Sequence, residues 1–299
     1  MVLRKLLFAT LLLLVCRVVS AGEVLVLESV KIKPYEEAIE GFTSSCGCNT
    51  REIALSDLSE RDIMREIRRS KPDMILAIGR DALLKVKGIK DTPIMYLMIP
   101  NPGTLLSSEE NIAGVSMYVS PERQLAILQE VLPDVKRVGL LYDPLKTSGF
   151  IEKFREASKG SVIKLVLKEV HSAKDVPSAI QTIIKEGIDI LWMLPDTTVV
   201  TPETVEAFLG SSLENRIPLF TFSNKYLEMG AIISVSTDPV DMGKQGGEIA
   251  RKILSGTKVT NLHRSDARKA VLSLNLKVAK KIGITVNSEA ISKAQHIIN

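Results

Sequence analysis

The stretch NIAGVSMYVSPERQLAILQEVLPDVKRVGLLYDP, Asn111 to Pro144, decides the fold. A short apolar strand at 112–117 gives way to a helix over 121–131. That helix stops at Leu132-Pro133-Asp134, and a nearly all-apolar strand follows at 137–142. The pattern marks the point where the chain leaves one α/β lobe and starts a second. Two lobes leave a cleft between them, and the cleft is where function is to be sought.

Outward from this stretch, the same alternation of strand and helix runs in both directions. Upstream, strands are expected at 24–27, 52–55, 74–78 and 93–98. Helices are expected at 35–42, from Ser59 to 69, and at 80–86. The run at 74–78 is apolar throughout, the pattern of a strand buried on both faces of a parallel sheet. Downstream, strands are expected at 162–167, 188–194, 218–222, 231–235 and 271–274. Helices are expected at 147–158, from Ser172 or Asp175 to 186, and at 202–209, 223–229, 241–254 and 276–282. Repeated βα units imply parallel sheets covered by helices on both faces. The expected class is therefore α/β, with two doubly wound parallel-sheet lobes and a ligand cleft between them.

With 299 residues, 45% of them hydrophobic and 25% charged, the chain is long enough for two ordinary globular domains. Residues 1–21 read as an export segment. Arg4 and Lys5 are its basic start, 6–15 its apolar run, and Val19-Ser20-Ala21 its small-residue cleavage site. A competing reading makes Cys16 a lipid-anchor cysteine. Removal of the segment takes Arg4, Lys5 and Arg17 with it, lowering the 39 basic residues to 36 against 35 acidic ones. No long basic run remains and aromatics are 4%, so nucleic acid is not an expected partner. The remaining cysteines form Cys46-Gly47-Cys48, which can be two thiols, a local disulfide, or part of a redox or metal site.

In open α/β sheets, ligands bind beyond the carboxyl ends of the strands, where helix N-termini offer free N–H groups. The loops at those ends supply Gly79, Arg80 and Asp81, then Asn101, then Tyr118. In the second lobe they supply Tyr142 and Asp143, Asp196 and Thr197, Ser223 and Asn224, and Asp238. The backbone at 79–81 suits an anionic group, and Asp196 or Asp238 suits an ammonium. Each of these residues also has an ordinary structural reading. Asp143, Asp196 and Asp238 precede predicted helices, where aspartate is a common cap. Tyr118 and Tyr142 fit packing as well as a cleft wall, and Arg80 fits a solvated surface. No nucleophile elbow, phosphate loop, HExxH, CxxC or GxGxxG element occurs, and no histidine falls in these loops, which argues against an enzyme.

Several segments together resemble the solute-binding proteins of ABC importers with the type I periplasmic-binding fold, in the branch linked to tryptophan and tyrosine uptake. They are Ile112-Ala113-Gly114-Val115-Ser116, the run 136–144, Leu194-Pro195-Asp196-Thr197-Thr198-Val199, Met229-Gly230-Ala231, Gly243-Lys244-Gln245-Gly246-Gly247 and Lys280-Lys281-Ile282-Gly283-Ile284. The resemblance implies two lobes joined by three crossings near Ser120, Asp238 and Leu274. Lobe one would hold 22–119 with 240–275, and lobe two 120–239 with 276–299. It implies a monomer that uses no cofactor or metal and closes on a small polar molecule, such as an amino acid. The closed form would deliver that molecule to a membrane permease, or, in the alternative, signal as a ligand-sensing subunit to a receptor or kinase. The chain departs from the family pattern at Pro100-Asn101-Pro102, Pro195-Asp196-Thr197 and Pro239-Val240. These changes remove a carboxylate and two aromatic rings from the expected cleft.

Overall fold

The computed structural model describes residues 22–299 apart from Leu58 and His263. The expected export segment, with Cys16, lies outside the described residues. The first lobe opens with β1 (Glu23–Glu28), α1 (Lys33–Cys46), β2 (Asn49–Ala54), α2 (Glu60–Ser70), β3 (Met74–Ile78), α3 (Arg80–Val86), β4 (Ile94–Ile99) and β5 (Ile112–Ser116). The second holds α4 (Pro121–Val131), β6 (Arg137–Tyr142), α5 (Pro144–Ser158), β7 (Lys164–Glu169), α6 (Val176–Lys185), β8 (Ile190–Trp192), α7 (Pro202–Asn215), β9 (Leu219–Thr221), α8 (Asn224–Met229) and β10 (Ile233–Thr237). The chain then returns to the first lobe as α9 (Pro239–Leu254) and β11 (Ser265–Asp266). It finishes in the second with β12 (Ala270–Asn275), α10 (Leu276–Ile282), α11 (Ser288–Lys293) and β13 (His296–Ile298).

The first sheet has the order β11-β5-β4-β3-β1-β2 and is parallel throughout. The second has the order β13-β12-β10-β9-β8-β6-β7, parallel except where β12 runs antiparallel to β10. The expected placement of 271–274 in lobe one is therefore overturned. Leu272 and Leu274 pair with Val235 and Ile233 and share one apolar cluster with Trp192 and Phe220. The third crossing accordingly lies at Ala267–Lys269 and not at Leu274.

Local sequence explains most of the boundaries. Ser59 and Ser120 accept backbone N–H groups at the starts of α2 and α4, which replaces a bond the first turn cannot make within the helix. Proline occupies the first turn of α4, α5, α7 and α9, where its missing N–H costs nothing. The central strands β3 and β4 are buried along their whole length, so their apolar runs need no alternation. Cys46 and Cys48, at the end of α1, are joined as a local disulfide.

The return of α9 depends on small residues. A Cβ on Gly243 would lie 2.0 Å from the carbonyl oxygen of Ala38, and one on Gly247 2.6 Å from that of Phe42. On α1, a Cβ on Gly41 would lie 2.1 Å from the Val240 carbonyl oxygen. The two helix backbones are thus in direct contact, and this contact anchors α9 to the first lobe. Gly243→Ala gains about 1 kcal/mol of helix propensity but forces the helices apart, at about 1–3 kcal/mol or more. The expected net result is a lower urea midpoint with an unchanged slope.

Candidate functional site

The carboxyl ends of both sheets border a cleft that a narrow waist divides in two. The first hollow has a volume of about 630 Å³ and the second about 530 Å³. Pro100, Tyr118, Phe150 and Pro195 border both. Tyr118 lies in the first crossing between the lobes and meets Phe150 of α5 edge to face, with ring centres 4.4 Å apart. The edge contacts continue from Phe150 to Phe154 at 4.7 Å and on to Trp192 at 4.8 Å; Trp192 then stacks on Phe220 at 4.2 Å. Such pairs contribute about 0.5–1.5 kcal/mol each beyond burial. The waist is therefore fixed to the core of the second lobe.

The first hollow is mostly apolar, with Met98, Phe150, Trp192 and Phe222 among its walls. Its polar groups include Glu37, Ser223, Asn224, Asp238 and Lys269. Among the described residues, the buried hydroxyl of Tyr118 and the buried Oδ1 of Asn224 make no hydrogen bond. A buried polar atom without a partner is costly, and both belong to residues that line this hollow. Burial, with Asp266 and Glu122 nearby, pushes the Tyr118 hydroxyl far above its ordinary range, so it stays protonated and can donate. Met98 carries φ of 58° at the end of β4, where the register with β5 shifts. Left-handed backbone at a residue other than glycine is strained, and here it turns the chain at the cleft wall.

Ion pairs and hydrogen bonds tie the three crossings together. Ser116 donates to Asp266 Oδ1 at 2.5 Å, the Ala267 N–H to the Tyr118 carbonyl at 3.1 Å, and Lys269 Nζ to Asp238 Oδ2 at 2.6 Å. Burial pushes the Asp238 carboxyl up, but the Lys269 ammonium and the Asp241 N–H outweigh it and hold the group below its ordinary value. Asn101 Nδ2 donates to the Lys146 carbonyl across the cleft at 3.3 Å.

The structure brings Asn101, Tyr118, Ser223, Asn224 and Asp238 to the cleft. The other expected site residues border neither hollow. Gly79 has φ of 86°, and the Tyr35 hydroxyl and Ser29 crowd the space where its Cβ would stand. Ser29 accepts the Ala82 N–H at 2.9 Å. Side chains of the same lobe thus cover Gly79 at the start of α3, whereas Arg80 and Asp81 are exposed and border neither hollow. Tyr142 donates to Glu169 at 2.8 Å, on the neighbouring strand. Asp196 is buried and accepts from the Asp143 N–H (2.9 Å), Thr147 Oγ1 (2.6 Å), the Thr198 N–H (2.8 Å) and the Val199 N–H (3.2 Å). Asp143 accepts from the Leu145 N–H and from Thr198 Oγ1 at 2.6 Å. Thr197 is exposed beside this knot. Both carboxylates hold the β6 and β8 loops together, and neither faces the cleft. Glu37, Phe150, Trp192, Phe222 and Lys269 line the first hollow without having been expected there. Trp192 also belongs to the core of the second lobe, and Phe150 packs against it. Among the described residues, no group of three or more His, Cys, Asp or Glu side chains could hold a metal ion. Nor is any helix among them long and apolar enough to cross a membrane.

This geometry agrees with what the chain is related to. The chain belongs to the ABC transporter substrate binding protein family, whose profile matches residues 51–298. It is 25% identical over 201 residues to a tyrosine-binding protein of Clostridioides difficile (strain R20291), covering 64% of this chain and 57% of that protein. It is 24% identical over 221 residues to an uncharacterized protein of Rickettsia prowazekii (strain Madrid E), covering 72% of this chain and 68% of that one. The chain thus spans little more than half the length of the tyrosine-binding relative. Among solved structures, a ligand-free, open substrate binding protein with adhesive properties from Clostridium difficile superposes with a TM-score of 0.75 at 19% identity, covering 93% of this chain and 100% of that one. An ABC domain from Streptococcus pneumoniae in complex with L-Trp does so with a TM-score of 0.65 at 19% identity, with the same coverage. At these identities the structures establish the fold: two parallel-dominated sheets in the manner of the periplasmic binding proteins.

Two consequences can be measured. Asp196→Ala leaves four donors without their acceptor, and is expected to cost about 2–4 kcal/mol in urea unfolding. The bond from Thr198 is the main cause that holds Asp143 below its ordinary carboxyl value of 3.8. A depressed carboxyl adds stability that is complete above its unfolded value and is lost as pH falls through its folded value. Thr198→Val should therefore lower stability at neutral pH and flatten the acid limb of the stability curve below about pH 4.

Proposed function

We propose that this protein is the ligand-capturing component of an ABC importer. A small polar molecule with an apolar side, of the amino acid class, enters the cleft, the lobes close on it, and the closed form passes it to a membrane permease. The protein works outside the cytoplasm, as substrate-binding proteins of ABC transporters do, and acts as a monomer. No chemistry is performed on the ligand.

The observation that carries this reading is the first hollow. Its walls come from both lobes, they are aromatic and aliphatic, and the Tyr118 hydroxyl and Asn224 Oδ1 stand there with no partner among the described residues. That composition, apolar walls with a few convergent polar atoms, is the usual one for a small-molecule site. The names of the relatives support the amino acid class: one is a tyrosine-binding protein, and one solved structure holds L-Trp. The tied crossings support closure, because they let the lobes rotate about one seam without separating.

The test is a thermal-shift screen with amino acids, nucleosides, sugars, polyamines and carboxylates. A ligand at a hundred times its dissociation constant should add about 2.7 kcal/mol. The expected result is one clear class of hits, led by amino acids, with the hit recovered chemically unchanged. Conversion of the hit into a product would overturn the reading.

A further inference from the structure

We infer that the second hollow is an anion subsite, which takes a carboxylate on the same ligand whose apolar part fills the first hollow. The inference rests on the cleft being the ligand site, and it assigns the charge recognition within it. Lys146 and Lys153 of α5 and Arg264 of the opposite lobe border this hollow; Asp266 is its one carboxylate, and that group already accepts the Ser116 hydroxyl at 2.5 Å. Among the described residues, neither lysine ammonium has a carboxylate partner within 4.0 Å. Lys153 Nζ stands instead 5.6 Å above the centre of the Tyr118 ring, at the waist. Arg264 is held in place by the Glu109 carbonyl at 3.0 Å and the Ile112 carbonyl at 3.4 Å, and its guanidinium lies 4.0 Å from the Glu109 carboxylate, so its position is fixed at the edge of the first sheet while its charge is partly balanced.

The cations come from both lobes, and this gives the subsite a second effect. Closing the cleft brings Arg264 towards Lys146 and Lys153, and like charges resist that approach. A carboxylate between them replaces repulsion with attraction on both sides, so the bound anion itself favours the closed form. The first hollow is closer to balanced: Glu37 pairs with Lys33 at 3.8 Å and Asp238 with Lys269 at 2.6 Å, and the buried Asn224 Oδ1 has no partner among the described residues. The lysines without a carboxylate partner therefore stand on the second hollow's side of the waist. The start of α3 borders neither hollow, and there Ser29 takes up the Ala82 N–H and, with Tyr35, covers Gly79.

The test compares two probes of the same shape, 3-phenylpropionate and the neutral 3-phenylpropionamide, by calorimetric titration of the purified protein and of a K146Q/K153Q/R264Q variant. The expected result is a preference of about fivefold for the carboxylate in the parent, weakened by added salt, and a ratio near one in the variant, whose circular dichroism matches the parent. Equal affinity for the two probes, binding of neither, or a preference that survives in the variant would overturn the subsite. A separate arm titrates the variant with the amino acid that gives the largest thermal shift. Unchanged affinity there would overturn the anion subsite and leave the importer reading standing, whereas no response to any compound in parent or variant would sink both.

Discussion

Three segments of chain pass between the lobes side by side, and the bonds among them decide what the molecule can do. Ser116 to Asp266, Ala267 to Tyr118 and Lys269 to Asp238 join each crossing to a neighbour. The last pair is partly exposed, with 52% of the lysine side chain and 20% of the aspartate side chain accessible. Such a pair contributes only about 0.2–1 kcal/mol. Its importance is geometric: it fixes the second and third crossings side by side. In the proposed closure, rotation of one lobe about this seam would change the width of the cleft and little else. The cleft would then be the part of the structure that responds to a ligand.

The remaining architecture serves that seam. The glycine-lined contact between α1 and α9 makes the returning helix part of the first lobe, so the second and third crossings emerge from a rigid body. The chain of aromatic contacts from Tyr118 to Phe220 does the same on the other side, running from the first crossing into the core of the second lobe. The knot around Asp196 and Asp143 fixes the β6 and β8 loops behind the waist. These buried carboxylates each satisfy several donors, so they stiffen the frame and leave ligand contact to other residues.

Much of this was legible in the sequence. The apolar runs of β3 and β4, and the strand–helix–strand pattern from Asn111 to Pro144, fixed the class of fold and the presence of two lobes. The rule that ligands lie beyond the carboxyl ends of strands led to Asn101, Tyr118, Ser223, Asn224 and Asp238, which the fold brings to the cleft, and equally to residues that border neither hollow. An aspartate before a helix reads the same whether its oxygens serve only the backbone or also face a cleft. Asp196 and Asp238 differ in this, and the difference depends on Thr147 and Lys269, residues remote in sequence. The covering of Gly79 by Ser29 and Tyr35 is likewise a tertiary fact. Trp192 sits in an apolar run expected only as a strand, and the fold shows that it also lines the first hollow. The pairing of β12 with β10 had no sequence signal, since a short, mostly apolar strand fits either sheet. β11 and β13, of two and three residues, are too short to leave one.

The central claim is that ligand binding closes the lobes about the tied crossings. Its most direct test is a distance measurement by pulsed electron spin resonance between labels on the two lips. Val30, 45% exposed on the first lobe, and Leu145, 87% exposed on the second, are suitable positions. A ligand that raises the melting temperature should shift the distance distribution to a shorter, narrower peak. A distribution unchanged by such a ligand would contradict the account.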